Sequence, residues 1–175
     1  MRAIVRKVSS SFENALANFF GSGPTDLDEA FAQHAAYVNK LVEFGVLVKE
    51  IPSHSDYPDC CFVEDHAIVV GDSVLLTNAG HDSRLGERKE IEEALDEDLS
   101  LEYMSKEARM DGGDVLKFGK KFLVGLSKRT NRRGIEDLEK FLSTRNYGIH
   151  VVEVPPESLH LISVCTSPVP GKLLV

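Results

Sequence analysis

The chain has 175 residues, 42% of them hydrophobic and 27% charged, which is enough to bury the core of one globular domain. Its formal net charge of −8 argues against nucleic acid as a partner, because phosphates attract basic surfaces. No apolar run approaches the ~20 residues of a membrane helix, and the first residues lack the hydrophobic stretch of a secretory signal. We therefore expect a cytoplasmic protein without a membrane partner.

The cysteine content argues against a disulfide framework and against a metal site. There are three cysteines, and Cys60 and Cys61 are adjacent while Cys165 lies far along the chain. An odd number favours free thiols, and this spacing does not suit a zinc site. We expect no metal and no other cofactor.

The first elements along the chain are a strand, a helix and a second strand. The strand is RAIVRKV, and the helix follows over DLDEAFAQHAAYVNKLVEF. Thr25 or Asp26 can cap the helix, and Gly45 is a typical stop signal. The second strand is VLVKEIP, which Pro52 ends. The helix carries an apolar stripe at helical spacing: Leu27, Phe31, His34, Val38 and Leu41.

The same helix–strand order appears twice more, and a hairpin follows each strand. The later helices are RKEIEEAL and NRRGIEDLEKFL, and their strands are LSLEYM and GIHVVEVP. Glu50, Glu102 and Glu153 stand in equivalent strands at an interval of about 50 residues. Three hairpin turns are predicted: Gly71–Asp72, a turn near Gly119, and Pro170–Gly171.

A repeat of this length, built on antiparallel strands, favours a propeller or another closed array. The alternative is an α+β sheet whose elements recur by chance. Propellers have about 4–8 blades, so three repeats leave sheet edges open at both ends. Open apolar edges favour association, so we expect a missing segment or a partner, such as a homo-oligomer formed through these edges.

Acidic residues cluster in PDCCFVED, where we place Asp59 in a loop and Glu64 and Asp65 at the start of a strand. Such residues commonly cap turns or pair with lysines. Because buried carboxylates need compensation, they can also converge on a cation, and the donor fork of a guanidinium suits them.

Four further segments contain residue types with potential chemistry. Asp111 precedes two glycines in MDGGDVL, where the glycines are typical of a sharp turn. Arg129 in GLSKRTNRRG follows a strand, and Asn131 is the predicted cap of the next helix. Arg84 lies in the loop GHDSRLGE, where it can be a functional residue or an ordinary solvated side chain. His160 in SLHLIS opens the third hairpin as Asp65 and Asp114 open theirs, so these side chains can face one central space.

Together these stretches resemble the dimethylarginine dimethylaminohydrolases, which belong to the guanidine-modifying pentein superfamily. The segments RAIVRKVSSSF, PDCCFVED, DSRLGE, MDGGDVL, FLVGLSKRTNRRG and SLHLISVC follow the family's order across the whole chain. The resemblance implies an α/β fold, a pentein-type α/β-propeller with about three of its five ββαβ blades present. Residues 1–175 then form a single domain that is truncated at its C-terminus.

The resemblance also implies roles for particular residues. Asp59, Glu64 and Asp65 match the acids that hold a substrate guanidinium, and Arg84 and Arg129 match the residues that hold its α-carboxylate. His160 matches the general acid/base and Asp111 its carboxylate partner. Phe12 stands where the family has a leucine in a lid over the site, so the lid contact differs.

The implied reaction is hydrolysis of Nω-methylated arginine to citrulline and methylamine or dimethylamine. In the family a cysteine thiolate attacks the guanidinium carbon. That cysteine lies in a later segment, and neither Cys60, Cys61 nor Cys165 matches it. We therefore expect the chain alone to be inactive. A non-catalytic protein that binds arginine analogues and a deiminase acting on free arginine are the alternatives.

Overall fold

The computed structural model describes residues 1–16, 25–169 and 171–175. It divides into two compact units, and each is described by itself. The first contains Met1–Val63 and Lys89–Asp96, and the second contains Glu64–Arg88 and Glu97–Val175. Across the described ranges, no helix combines the length and the apolar character that crossing a membrane requires.

The first unit is built on a pair of parallel strands joined by a long helix. Strand β1 (Arg2–Arg6) pairs with β2 (Leu47–Ile51), and α1 (Leu27–Glu43) connects them. Parallel neighbours need a crossover of this kind. As predicted, Asp26 caps α1 by accepting a hydrogen bond from the Glu29 amide at 3.0 Å. The chain turns away at Gly45, whose φ of +75° is a conformation that glycine adopts without strain.

The predicted stripe of α1 is its less exposed face, although no residue of this helix is buried. Leu27, His34, Val38 and Leu41 are half-buried, while Phe31 is exposed. Before the helix, residues Phe12–Asn14 form a single 3-10 turn.

The second unit contains two three-stranded sheets of one design and a third hairpin. In each sheet an antiparallel hairpin is extended by a parallel strand that follows a helix in the chain. The sheets are β3 (Ala67–Val70), β4 (Ser73–Leu76) and β5 (Ser100–Tyr103), then β6 (Val115–Phe118), β7 (Lys121–Leu126) and β8 (Gly148–Glu153). Helix α3 (Arg132–Ser143) belongs to this unit, whereas α2 (Arg88–Ala94) belongs to the first unit from Lys89 on. The third hairpin is β9 (Thr166–Val169) and β10 (Lys172–Leu174).

The predicted repeat of helix, strand and hairpin is therefore confirmed as an order of elements. Gly71, Gly119 and Gly171 stand at the hairpin turns with φ of 67°, 62° and 79°. Residue 170 of the third turn lies outside the described residues. The number of blades, the closure of a ring and association through the sheet edges stay predictions.

The apolar core of the second unit lies under α3. Leu138 and Leu142 are completely buried on the helix face that the sequence pattern predicted, together with Ile135 and Phe141. As predicted, Asn131 caps this helix by accepting a hydrogen bond from the Gly134 amide at 2.8 Å. The cap and the buried face hold the loop that contains Arg129 at the end of β7.

Two sequence predictions about the residues before the hairpins were wrong. Glu64 and Asp65 lie in a 3-10 turn, Val63–His66, that precedes β3, and not in the strand. His160 caps the equivalent turn Leu161–Ser163, as Asp111 caps Gly112–Asp114. His160 is therefore the counterpart of Asp111, whereas Asp114 is the last residue of its turn. Sequence spacing alone did not reveal these turns, because they are too short to show a period.

Candidate functional site

Among the described residues of the second unit, eight buried acidic or basic side chains come from the turns before the hairpins and the loops after them. They are Asp65, His66, Arg84, Glu87, Asp111, Asp114, Arg129 and His160. Five belong to the set predicted from sequence, and Asp114 was noted there only for its position in the repeat. Because buried charges must be paired, their contacts with one another define what the site can do.

His160 and Asp111 form a hydrogen-bonded pair. The His160 Nε2 atom lies 3.1 Å from Oδ2 of Asp111, while Oδ1 of Asp111 accepts a hydrogen bond from the Gly80 amide at 2.7 Å. Burial opposes both charges, but the contact with Asp111 and the nearby carboxylates of Asp65 and Asp114 raise the pKa of His160 above its ordinary value. Conversely, hydrogen bonds from His160 and Gly80 hold the pKa of Asp111 below its ordinary value against the effect of burial.

Arg129 joins this pair from the loop after β7. Its Nη1 atom lies 3.4 Å from Oδ2 of Asp111, the oxygen that also faces His160. The side chain is 8% exposed, so its cation is nearly removed from solvent. A carboxylate between an imidazole and a guanidinium stays ionised, which favours the protonated form of the imidazole.

Arg84 is held by two carboxylates on opposite sides of its guanidinium. Its Nη1 atom donates to Oδ2 of Asp65 at 2.6 Å, and its Nε and Nη2 atoms donate to Glu87 at 3.2 and 2.9 Å. Glu87 also lies 2.8 Å from Nε2 of the fully buried His66. Burial would raise the pKa of Glu87, but the bonds to His66 and Arg84 lower it below its ordinary value. Burial would lower the pKa of Arg84, but its contacts with Glu87 and Asp65 raise it.

Glu87 and His66 were missed by sequence reasoning. The only signal for Glu87 is its position three residues after Arg84, in the 3-10 segment Asp82–Glu87. His66 directly follows Glu64 and Asp65 and belongs to no spacing pattern that would indicate a role.

The two glycines of MDGGDVL are required for close approach between segments. The Gly113 amide donates to Oδ1 of Asp65 at 3.1 Å, and a Cβ atom at Gly113 would lie 2.5 Å from Nδ1 of His160. A Cβ atom at Gly112 would lie 2.0 Å from the carbonyl oxygen of Glu64. Any side chain here would therefore displace His160 or the acidic turn.

Glu64 differs from the other site residues because its side chain is exposed. Partial burial and the neighbouring charge of Asp65 raise the pKa of Glu64, while His160 acts in the opposite direction. Its carboxylate can therefore meet a ligand from solvent.

Asp59 and Phe12 belong to the first unit, and their contacts are described within it. Asp59 is buried, and its two carboxylate oxygens lie 3.1 and 3.2 Å from the amide of Leu16. The rings of Phe12 and Phe62 lie 6.1 Å apart between centroids. Their predicted roles toward a substrate stay predictions.

One group of three side chains has the ligand types of a metal site. Ligand atoms of Asp65, Asp111 and His160 all lie within 4.8 Å of one another. Each side chain already has protein partners, with Arg84 on Asp65 and with His160 and Asp111 bonded to each other. The arrangement serves equally to surround a small organic cation.

Comparison with known proteins identifies the family. The family model for N,N dimethylarginine dimethylhydrolase, eukaryotic, matches residues 7–167. The chain belongs to the dimethylarginine dimethylhydrolase family. An N(G),N(G)-dimethylarginine dimethylaminohydrolase from Streptomyces coelicolor is 33% identical over 175 residues, which cover 99% of this chain and 67% of that protein.

Solved structures of this family and its superfamily share the fold. A dimethylarginine dimethylaminohydrolase mutant from Pseudomonas aeruginosa, complexed with citrulline, superposes with a TM-score of 0.90 at 27% identity, over 95% of this chain and 65% of that one. An amidinotransferase from Microseira wollei superposes with a TM-score of 0.76 at 20% identity, over 99% of this chain and 66% of that one. The chain thus has the mixed α/β fold of penteins and spans about two thirds of these relatives.

Proposed function

We propose that this chain binds Nω-methylated arginine and supplies most of a site that hydrolyses it to citrulline and methylamine or dimethylamine. The buried pair of His160 and Asp111 carries the proposal, because its 3.1 Å contact favours the protonated form of an imidazole that lies among carboxylates. The Pseudomonas relative complexed with citrulline, the product of this reaction, supports the same chemistry.

The proposed contacts bind the substrate at both ends, the guanidinium and the α-carboxylate. Asp65 and the exposed Glu64, with Asp59, hold the guanidinium, which keeps it charged and electrophilic. Arg84 and Arg129 hold the α-carboxylate, and Phe12 covers the site. The acids thus meet the cation of the ligand and the arginines its carboxylate, and Arg84, whose Nη1 atom lies 2.6 Å from Oδ2 of Asp65, connects the two groups.

In the proposed reaction a cysteine thiolate attacks the guanidinium carbon and forms a C–S bond. His160 donates its proton to the departing nitrogen as the C–N bond breaks and the amine leaves. Water then attacks the same carbon and gives a proton to His160, and the C–S bond breaks to release citrulline and the thiolate. The raised pKa of His160 extends to higher pH the range in which the imidazole carries the proton for the first step.

We propose that another polypeptide segment supplies the thiolate. Cys60 is fully buried, with Sγ 3.9 Å from the carbonyl oxygens of Lys7 and His54, and Cys165 is 8% exposed. Buried thiols in such surroundings are poor nucleophiles. Cys61 lies in the PDCCFVED segment, which the proposal assigns to binding.

Calorimetry with asymmetric dimethylarginine tests the binding part of this proposal. We expect binding by the unaltered chain and at least about tenfold weaker binding by Asp65→Asn, because a hydrogen bond to a charged group contributes about 1.5–3 kcal/mol. Asp72→Asn, which changes an exposed aspartate of a hairpin turn, serves as the matched control and leaves the affinity unchanged. Absence of binding at millimolar ligand would contradict the proposal.

A citrulline assay tests the source of the thiolate. The chain alone should release no citrulline above the blank, whereas turnover by the chain alone would show that one of its own cysteines reacts. Adding the remaining third of the Streptomyces relative should restore turnover. Binding without turnover in that mixture would instead favour a non-catalytic protein that binds arginine analogues.

A further inference from the structure

We propose that Asp114 is a positioning residue of this site, fixing with one carboxylate both the backbone of Arg129 and the backbone that follows His160. The inference rests on the proposed function, which gives Arg129 and His160 their roles. Neither the family resemblance nor the sequence motifs assign a role to this side chain.

One oxygen of Asp114 organises the loop that contains Arg129. Its Oδ2 atom accepts hydrogen bonds from the hydroxyls of Ser127 and Thr130, each at 2.6 Å. The Ser127 oxygen in turn accepts the backbone amides of Arg129 at 2.9 Å and Thr130 at 3.1 Å. The Arg129 amide is thus connected to Asp114 through a single hydroxyl.

The other oxygen of Asp114 organises the segment of His160. Its Oδ1 atom accepts the amide of Leu161 at 2.9 Å, and Leu161 is the residue directly after His160. Gly125 makes this approach possible, because a Cβ atom there would lie 2.7 Å from Oδ1 of Asp114 and 3.1 Å from Cβ of Leu161. Asp114 is completely buried, so these bonds do not compete with water.

Stability alone does not explain a carboxylate at this position. Burial raises the pKa of Asp114 even though Ser127, Thr130 and Leu161 donate to it, so the ionised form is favoured less in the folded chain than in water. An uncharged acceptor could hold the same donors with less desolvation. The charge does, however, act on His160, whose pKa it helps to raise.

Two variants separate the two branches. Asp114→Asn keeps the shape and removes the charge, and Ser127→Ala removes the hydroxyl that donates to Asp114 and accepts the amides of Arg129 and Thr130. Asp137→Asn is the matched control, because Asp137 accepts the Ser105 amide and hydroxyl at 2.9 and 2.6 Å on α3, away from the site. Circular dichroism melts establish that each variant is folded. If Asp114→Asn does not fold, Thr130→Val replaces it, since it removes one hydroxyl donor to the carboxylate.

The first measurement is the affinity for asymmetric dimethylarginine relative to its decarboxylated analogue. We expect Ser127→Ala to reduce this preference about tenfold, because Arg129 no longer has a fixed backbone and loses a charge-assisted contact with the α-carboxylate. Asp114→Asn should reduce it similarly, and Asp137→Asn should leave it unchanged. An unchanged preference in a folded Ser127→Ala variant would overturn the Arg129 branch.

The second measurement is the NMR titration of the His160 ring, which needs no ligand. Asp114→Asn should lower the titration midpoint and change the resonance of the Leu161 amide proton, while Ser127→Ala should move neither. A wild-type midpoint in folded Asp114→Asn would overturn the His160 branch. Should the unaltered chain bind neither ligand, the proposed function fails, and this titration still decides whether Asp114 acts on His160.

Discussion

Asp65 and Asp114 occupy the same place in successive repeats, yet their carboxylates meet different partners. Each lies in a 3-10 turn before a hairpin, and the Oδ1 atom of each accepts a backbone amide from the next repeat, Gly113 at 3.1 Å and Leu161 at 2.9 Å. The Oδ2 atom of Asp65 meets the Arg84 guanidinium, whereas that of Asp114 meets two hydroxyls. The hydrogen bond from Oδ1 to the amide of the next repeat is therefore the same in both repeats, whereas the partner of Oδ2 differs.

This difference separates a carboxylate suited to a ligand from one suited to the scaffold. A carboxylate that already binds one guanidinium is in surroundings that also accept a second cation, since carboxylates offer several acceptor positions. A carboxylate that accepts short hydrogen bonds from two neutral hydroxyls is held in place by their geometry. Replacing these donors with a ligand would stabilise it little further. We infer that the same position of the repeat holds a binding group in one repeat and a positioning group in the next.

Removing the cation beside Asp65 should have the largest effect on stability. Arg84→Met leaves Asp65 and Glu87 buried without their guanidinium, and breaking a buried pair in this way costs about 3–5 kcal/mol. Urea unfolding followed by circular dichroism measures the loss. Arg133→Met is the matched control, because Arg133 is 46% exposed and its contacts with Glu136 and Asp137 are near the surface.

The control should lose at most about 1 kcal/mol, as surface ion pairs do. Equal losses of unfolding free energy in the two variants would mean that the ion pairs of Arg84 stabilise the fold no more than a surface pair does. The contrast between Asp65 and Asp114 would then have no electrostatic basis.

The matched substitutions Asp65→Asn and Asp114→Asn test the comparison directly. Asp65→Asn weakens a charged hydrogen bond to a buried arginine and should cost about 1.5–3 kcal/mol. Asp114→Asn should cost about 1 kcal/mol or less, because the lost hydrogen-bond strength is offset by relief from burying a charge. Urea unfolding of both variants at neutral pH gives the difference, and a greater loss for Asp114→Asn would reverse the assignment of the two roles.

The sequence predicted the elements of this fold because its signals were local. Asp26, Asn131 and the turn glycines are caps and turns whose chemistry acts within a few residues. The 3-10 turns were missed because three or four residues show no periodicity, and the equivalence of His160 with Asp111 was missed with them.

The site was predicted less completely, because burial and pairing depend on residues far apart in sequence. Asp65, Arg84 and His160 were found through family motifs, but nothing in the sequence indicated that Arg84 would bond to Asp65. Glu87 and His66 have no motif of their own, and only the folded chain brings them to Arg84. The role of Asp114 likewise depends on the backbone amide of Leu161, and an apolar residue gives no sequence signal for such a contact.

The smallest predicted effect is a pH dependence that belongs to the repeat of Asp111 and His160. The folded chain raises the pKa of His160 above its ordinary value of 6.5, so its stabilising contribution is fully present below that value and is lost as pH rises through the folded pKa. Glu87 does not interfere, since its lowered pKa confines its loss of stability to acid below its ordinary value of 4.5. The unaltered chain should therefore lose stability relative to His160→Gln as the pH rises from about 6 towards 9. Urea unfolding across this range measures it, with the exposed His150→Gln as the control. Asp111→Asn should weaken the dependence, because Asp65 and Asp114 still act on His160. A loss of unchanged size in that variant would assign the titration to a different group.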